Sequence, residues 1–379
     1  MEQTIITADN NYRLLDRWFL DNGLEKVLLV CGNSIAKQNI NAYFAGLEDR
    51  LGVKVIRFTD FLPNPVYESV QKGVMRFREE GCQGIIAVGG GSSMDVAKCI
   101  KLYAHLSGDG ENGLWLNQEA APNEIPFLAV PTTAGTGSEA TRYAVIYYQG
   151  AKQSITSESV IPDTVLMDAG MLKTLSDYQK KATMMDALSH AIESFWSVNS
   201  TDESRAYSKK AIEMIMANLD GYLSNKDDGN AGMLLAANTA GKAINMAQTT
   251  AGHAMCYKIT SLFGCAHGHA AALCNRILFP WMIENTGLCS DPRGAEYLAD
   301  TLNEIGRAMG CDHAEQGAEK LNCIFDSLHL EIPSATEEQF QLLRTSVNPV
   351  RLKNFPIALD ADTINNLYHQ ILLEKNHED

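Results

Sequence analysis

Asp186 and His190 stand four apart in a stretch whose apolar residues, Met184, Met185, Ala187, Leu188, Ala191 and Ile192, recur at helical spacing. A carboxylate and an imidazole therefore rise from one helix face and can converge on one ion. Further along, His253 and His267 bracket a second helical stretch and its turn. One carboxylate and three neutral imidazoles suit a borderline divalent ion such as Fe²⁺ or Zn²⁺. Such a set leaves a coordination position for a substrate oxygen, which is the catalytic pattern rather than the closed structural one. An isolated Asp-x-x-x-His pair arises often by chance, so the weight of this reading depends on the rest of the chain.

The elements that must position these residues change character midway. Through about residue 170, short β-type runs (Val27–Val30, Val53–Phe58, Gly84–Val88, Phe127–Val130) alternate with amphipathic segments such as Tyr67–Glu80. That alternation predicts an α/β domain with a parallel sheet and helices on both faces. Beyond about residue 175, Lys180–Trp196, Glu203–Leu223, Ala231–Gln248 and Glu296–Met309 carry helical spacing and strand runs disappear. The expected organisation is an α/β domain over 1–175 and an all-α domain with the candidate metal ligands over 176–379, with Pro162–Asp168 as the last strand and turn before the boundary.

Composition narrows the class of protein. The 379 residues suffice for two domains with sizeable cores. A net charge of −15 and no block of Lys and Arg argue against nucleic acid and anionic membrane as partners. The N-terminus lacks the basic and apolar regions of a signal peptide, and no window is apolar enough to span a bilayer. Nine cysteines, an odd number with no CxxC pair, read as reduced thiols, so a soluble cytoplasmic protein is expected.

Two glycine-rich segments follow strand candidates directly. Gly89-Gly-Gly-Ser-Ser-Met-Asp95-Val-Ala-Lys98 opens a helix after Val88, where flexible backbone and free N–H groups attract a diphosphate. The plainer reading is a tight turn in which Ser92 and Asp95 form a capping box. Pro131-Thr-Thr-Ala-Gly135-Thr-Gly137-Ser138-Glu139 follows the next strand with a second bed of hydroxyls, expected to face a ligand. Two such loops at the carboxyl edge of one sheet mark the dinucleotide site of an open α/β fold.

With Pro63-Asn64-Pro65, the two glycine-rich loops, Asp186-x-x-x-His190, His253-Ala-Met and His267-Gly268 together, the chain resembles the iron-containing (group III) alcohol dehydrogenases over nearly its whole length. The resemblance implies an active site in the cleft between an α/β and a helical domain, with Asp186, His190, His253 and His267 on the metal. It also implies that Gly90, Gly91 and Ser92 hold the diphosphate, that Thr132, Thr133 and Ser138 line the nucleotide cleft, and that Asn64 and Lys152 touch the cofactor; Asp95 is counted with the cofactor-binding residues. Dimers or larger homo-oligomers are common in the family.

Departures from the family pattern bear on cofactor and substrate. Val30 is followed by Cys31-Gly32-Asn33-Ser34 where many relatives have an acidic residue for the adenosine 2′-hydroxyl. NAD is favoured because no cation stands immediately there, Lys37 being nearest, while NADP stays open. Tyr257-Lys258 replaces the histidine that typical members carry four residues after His253. Arg142-Tyr143 replaces a small pair, and Asn348-Pro-Val-Arg351-Leu-Lys353 adds cations near the C-terminus. This set resembles the sulfoacetaldehyde and phosphonoacetaldehyde reductases, whose anionic two-carbon substrates need guanidinium or ammonium partners. The expected substrate-binding residues are Arg142, Tyr143, Lys258, Arg351 and Asn348, with Tyr257 or a metal-bound water relaying the proton. Arg142 and Lys258 have ordinary readings as well, as an ion-pair residue and a solvated lysine. The alternatives are a general short-chain alcohol or lactaldehyde dehydrogenase of the same family, and a metal lyase on the related dehydroquinate-synthase-like fold.

Overall fold

The computed structural model describes residues 3–347 and 349–374. They form two compact units, one from the chain up to Thr133 with Gly137–Leu175, the other from Ala134–Thr136 with the chain from Ser176 onward. Asn348, expected at the substrate, lies outside the described residues.

In the first unit the strands are β1 (Thr4–Thr7), β2 (Lys26–Cys31), β3 (Lys54–Phe58), β4 (Gly84–Gly89), β5 (Phe127–Pro131), β6 (Tyr143–Tyr148), β7 (Ala151–Thr156) and β8 (Thr164–Met167). The helices are α1 (Leu14–Asp21), α2 (Ile40–Ala45), α3 (Leu47–Leu51), α4 (Tyr67–Glu79) and α5 (Gly91–Tyr103). Six strands form one parallel sheet in the order β1-β8-β5-β4-β2-β3. Every residue of β4 and β5 is buried, as unbroken apolar runs require in a sheet covered on both faces. From β2 the chain moves outward to β3, and from β4 it moves the other way to β5. The seam between β2 and β4 is therefore the topological switch point, where open α/β sheets take ligands.

Two elements depart from the expected alternation. β1, with only two apolar residues between exposed threonines, pairs at the sheet edge with β8 alone, too short a pattern to mark a strand. β6 and β7 form an antiparallel hairpin outside the main sheet. It turns at Gln149-Gly150, whose φ values of 50° and 76° match a two-residue turn of the type that favours hairpins.

The second unit is built from α6 (Asp177–Trp196), α7 (Asp202–Leu223), α8 (Asp227–Ala247), α9 (Ala251–Phe263), α10 (His267–Glu284), α11 (Ala295–Ala308), α12 (Ala314–Ser327), α13 (Glu337–Ser346), α14 (Pro349–Leu352) and α15 (Ala361–Ile371). α6 starts cleanly because the Ser176 hydroxyl accepts the Gln179 N–H. It packs against α7, α8 and α10 and is buried from Met184 through Trp196. A helix buried all round is normally apolar all round, yet Asp186, His190 and Glu193 sit in this stretch, and each needs a partner. The expectation that strands vanish here needs one correction. Ser334–Ala335 and Leu373–Glu374 pair in parallel, a two-residue contact too brief to leave a sequence pattern.

Candidate active site

The α6 periodicity places Asp186, His190 and Glu193 along one stripe, since steps of four and three residues return near the same helical angle. α9 and α10 bring His253 and His267 to Asp186, so that one ligand atom from each of the three lies within 4.8 Å of the others. His190 adjoins them, with Nε2 3.9 Å from Asp186 Oδ1 and its ring stacked on His253 at 4.5 Å. Gly268 permits this convergence. A Cβ there would stand 2.4 Å from Asp186 Cβ and 2.1 Å from the Ala182 carbonyl oxygen.

Each imidazole is held from behind at Nδ1. His190 Nδ1 reaches the Gly135 carbonyl at 3.3 Å, His253 Nδ1 reaches Glu193 Oε1 at 2.5 Å, and His267 Nδ1 lies 3.6 Å from Cys256 Sγ. That leaves the Nε2 side of the rings for the centre. Asp186 Oδ1 and His253 Nε2 are buried 3.5 Å apart with no hydrogen bond. Orphaned buried polar atoms are costly, and a divalent ion would satisfy both. The donor set therefore fits Fe²⁺ or Zn²⁺. Burial would raise the Asp186 carboxyl, but the imidazoles of His190, His253 and His267 hold it well below the usual carboxylate range.

Tyr257, one turn after His253, stacks on the His267 ring at 5.5 Å. Burial pushes its phenol well above the ordinary tyrosine range, so it keeps its proton. Arg351 in α14 lies over the Tyr257 ring at 5.6 Å and donates from Nη1 to Thr249 Oγ1 at 3.0 Å. Among the described residues no carboxylate pairs with Arg351. Lys258 is half-buried on α9. The turn carrying Thr249 begins at Gln248, whose φ of 61° and ψ of 170° fall in a region essentially reserved for glycine. Asn354 Nδ2 pins that turn at Gln248 Oε1 and the Thr249 carbonyl.

In the first unit, the loop after β4 turns at Gly89, with φ of 157°, where a Cβ would lie 2.2 Å from Ser93 Oγ. Gly90 caps α5 without any side-chain hydrogen bond, so the Ser92–Asp95 capping box does not form and the helix presents bare N–H groups. Thr133 packs beside Gly90, and Thr132 N donates to the Gly89 carbonyl at 3.0 Å, which joins the two glycine-rich loops. Asn64 is exposed at φ of 57°. Lys152, on β7, exerts a favourable field on Asp95.

Ser138 departs from expectation. Its hydroxyl contacts Lys98 Nζ at 3.1 Å and donates to Asp95 Oδ1 at 3.4 Å, so it braces its loop from inside. Lys98, fully buried, donates to the carbonyls of Ser138, Thr141 and Tyr143 at 2.6, 2.7 and 2.7 Å. Arg142 pairs with Glu158 at 2.5 Å and its Nε donates to Tyr143 Oη at 3.2 Å, the ion-pair role of its ordinary reading. Glu193, Asn275, Thr249 and the bracing role of Lys98 escaped sequence reasoning. Only Glu193 left a signal, a charge seven residues after Asp186 and three after His190 on an apolar helix.

Comparison with known proteins agrees with this geometry. Residues 3–169 match the iron-containing alcohol dehydrogenases, and residues 180–372 match the C-terminal region of the Fe-containing alcohol dehydrogenase family. The chain belongs to the iron-containing alcohol dehydrogenase family, a class of oxidoreductases. It is 34% identical to the probable alcohol dehydrogenase EutG of Escherichia coli over 274 residues, 70% of this chain and 66% of that protein. It is 31% identical to the phosphonoacetaldehyde reductase of Streptomyces viridochromogenes over 287 residues, 70% of this chain and 72% of that one. In fold it resembles the sulfoacetaldehyde reductase of Bifidobacterium kashiwanohense, solved in complex with NAD+, with a TM-score of 0.86 at 24% identity over 97% of this chain and 96% of that one. Among the described residues no helix is long and apolar enough to cross a membrane.

Proposed function

We propose that this chain reduces a short anionic aldehyde, sulfoacetaldehyde to isethionate or phosphonoacetaldehyde to 2-hydroxyethylphosphonate, using NAD(H) and one divalent metal. The observation that carries the reading is the pair of orphaned buried atoms, Asp186 Oδ1 and His253 Nε2, facing each other beside His267 and His190. Asp186, His190, His253 and His267 hold the ion, Fe²⁺ or Zn²⁺. Gly90, Gly91 and Ser92 at the uncapped start of α5 hold the diphosphate, with Asp95, Thr132, Thr133, Asn64 and Lys152 around the cofactor. When bound, the metal supplies Lewis acidity at a carbonyl oxygen and the reduced nicotinamide supplies hydride.

The chain's own residues do the rest. Tyr257 holds its proton at Oη beside His267 and donates it to the oxygen that becomes the alcohol. Arg351 receives the anionic tail, with Lys258 as the second cation on the same unit. The two ring contacts bound the distance from Arg351 Cζ to the His267 ring at about 11 Å. The 31% identity to a phosphonoacetaldehyde reductase supports this substrate class. The likeness to EutG supports a second reading, a general short-chain alcohol dehydrogenase in which the cations are structural. We place the protein in the cytoplasm as a homo-oligomer, on its scattered free thiols and its family.

The test is a panel of NADH- and NADPH-linked reductions by the Fe²⁺- and Zn²⁺-loaded protein with sulfoacetaldehyde, phosphonoacetaldehyde, lactaldehyde and acetaldehyde. An anion-built site turns over one of the first two orders of magnitude better than acetaldehyde. Equal turnover of acetaldehyde would establish the second reading instead.

A further inference from the structure

Glu193 is the most completely buried charge near the centre, with no measurable exposure. It receives five hydrogen bonds. Oε1 accepts from His253 Nδ1 at 2.5 Å and Asn275 Nδ2 at 2.8 Å; Oε2 accepts from Thr250 N at 2.6 Å, Thr250 Oγ1 at 2.9 Å and His253 N at 3.3 Å. Trp196 Nε1 donates to Thr250 Oγ1 at 2.8 Å, which turns the threonine's own proton toward the carboxylate.

Every neighbour is a donor, so a proton on Glu193 would have no acceptor and the group is a carboxylate. His253 must then carry a proton at Nδ1, so Nε2 is the nitrogen that faces Asp186 Oδ1. The same carboxylate grips Thr250 N, two residues after the strained Gln248, and so fixes the entry to α9 on which His253 rides.

We propose that Glu193 is the positioning residue of the metal centre: it sets the tautomer and direction of His253 and, with Asp186, supplies the second buried negative charge that balances a divalent ion. This rests on the reading of Asp186, His253 and His267 as ligands. A glutamine at 193 offers one acceptor where two are needed. Turned one way, its amide faces the three donors at the Thr250 end. Turned the other, it faces His253 Nδ1 and favours the Nε2–H tautomer, which cannot ligate.

The experiment is anaerobic Co²⁺ titration of the full apo chain, following ligand-field absorption, with Zn²⁺ affinity by competition, for the native protein, E193Q, E193D and N275A. Apo melting temperatures serve as the folding control. Removing the outer partner of a ligating histidine typically weakens metal binding about 10- to 100-fold, which is expected for E193Q together with shifted absorption bands. E193D should recover part of the affinity, and N275A, which keeps the charge but removes one of the two donors to Oε1, should lose several-fold. A merely structural Glu193 would lower the apo melting temperature and leave affinity and bands unchanged, which overturns the proposal. Should E193Q fail to fold, unchanged affinity in N275A overturns it as well. Absence of any Co²⁺ site in the native chain removes the ligand reading and this proposal together, whereas native binding with an unaffected E193Q removes this proposal alone.

Discussion

Gly268→Ala tests how tightly the centre depends on helix packing. The added Cβ would stand 2.1 Å from the Ala182 carbonyl oxygen, 2.4 Å from Asp186 Cβ and 2.9 Å from Asp186 N. Those atoms belong to α6 itself or to its Cβ positions, so no side-chain rotation relieves the clash; α10 must move off α6. Restoring ordinary contact at about 3.4–4 Å requires a displacement of about 1 Å or more. Overpacking of this kind costs about 1–3 kcal/mol. The same displacement carries His267, the preceding residue, away from Asp186, and metal sites hold their distances to within about 0.2 Å. We expect apo G268A to melt a few degrees lower and to bind Co²⁺ or Zn²⁺ at least tenfold more weakly, measured by calorimetry and metal titration. G287A, where a Cβ meets nothing within 4 Å, is the control and should match the native protein. Native metal affinity in G268A would refute the argument that the α6–α10 approach sets the ligand geometry.

R351A removes a charge-assisted contact worth about 1.5–3 kcal/mol, so kcat/KM for the anionic aldehyde should fall at least tenfold while acetaldehyde turnover changes little; parallel losses for both substrates would place Arg351 outside the anion site. The Asp95 carboxyl is raised to about 6, chiefly by burial, against the pull of Lys98. Between its ordinary value of 3.8 and about 6 the folded state binds more protons than the unfolded one, so this group's stabilisation is complete below that window and lost as pH rises through it. Urea midpoints of the native chain should therefore fall more from pH 4 to pH 7 than those of D95N; identical pH slopes would contradict the buried-carboxyl reading. Because Gln248 occupies glycine-type backbone space, Q248G should be more stable than Q248A by about 1–2 kcal/mol, the reverse of the usual order, as chemical denaturation would show.

The central strands were legible because a sheet covered on both faces demands unbroken apolar runs, as in Gly84–Val88 and Phe127–Val130. β1 was not, since Thr4–Thr7 satisfies only one neighbour and needs little apolar pattern. The two glycine-rich loops announced themselves by composition, but which hydroxyls face outward did not. Ser138 and Thr141 look alike in sequence to Thr132 and Thr133, and the buried Lys98 draws the first two inward. Arg142 and Arg351 were equal candidates on residue type; one meets Glu158, and the other meets no carboxylate among the described residues.

The sequence by itself determined that the second half is helical, that Asp186 and His190 share a helix face, and that glycine-rich turns follow two parallel strands. All of these are periodicities and local backbone requirements confined to a few consecutive residues. Tertiary structure alone decided that His253 and His267 meet Asp186, that Glu193 and Asn275 stand behind them, and that Arg351 comes to rest over Tyr257. Those meetings join residues up to about a hundred positions apart. They depend on how closely helices approach, which small residues such as Gly268 permit through what they lack.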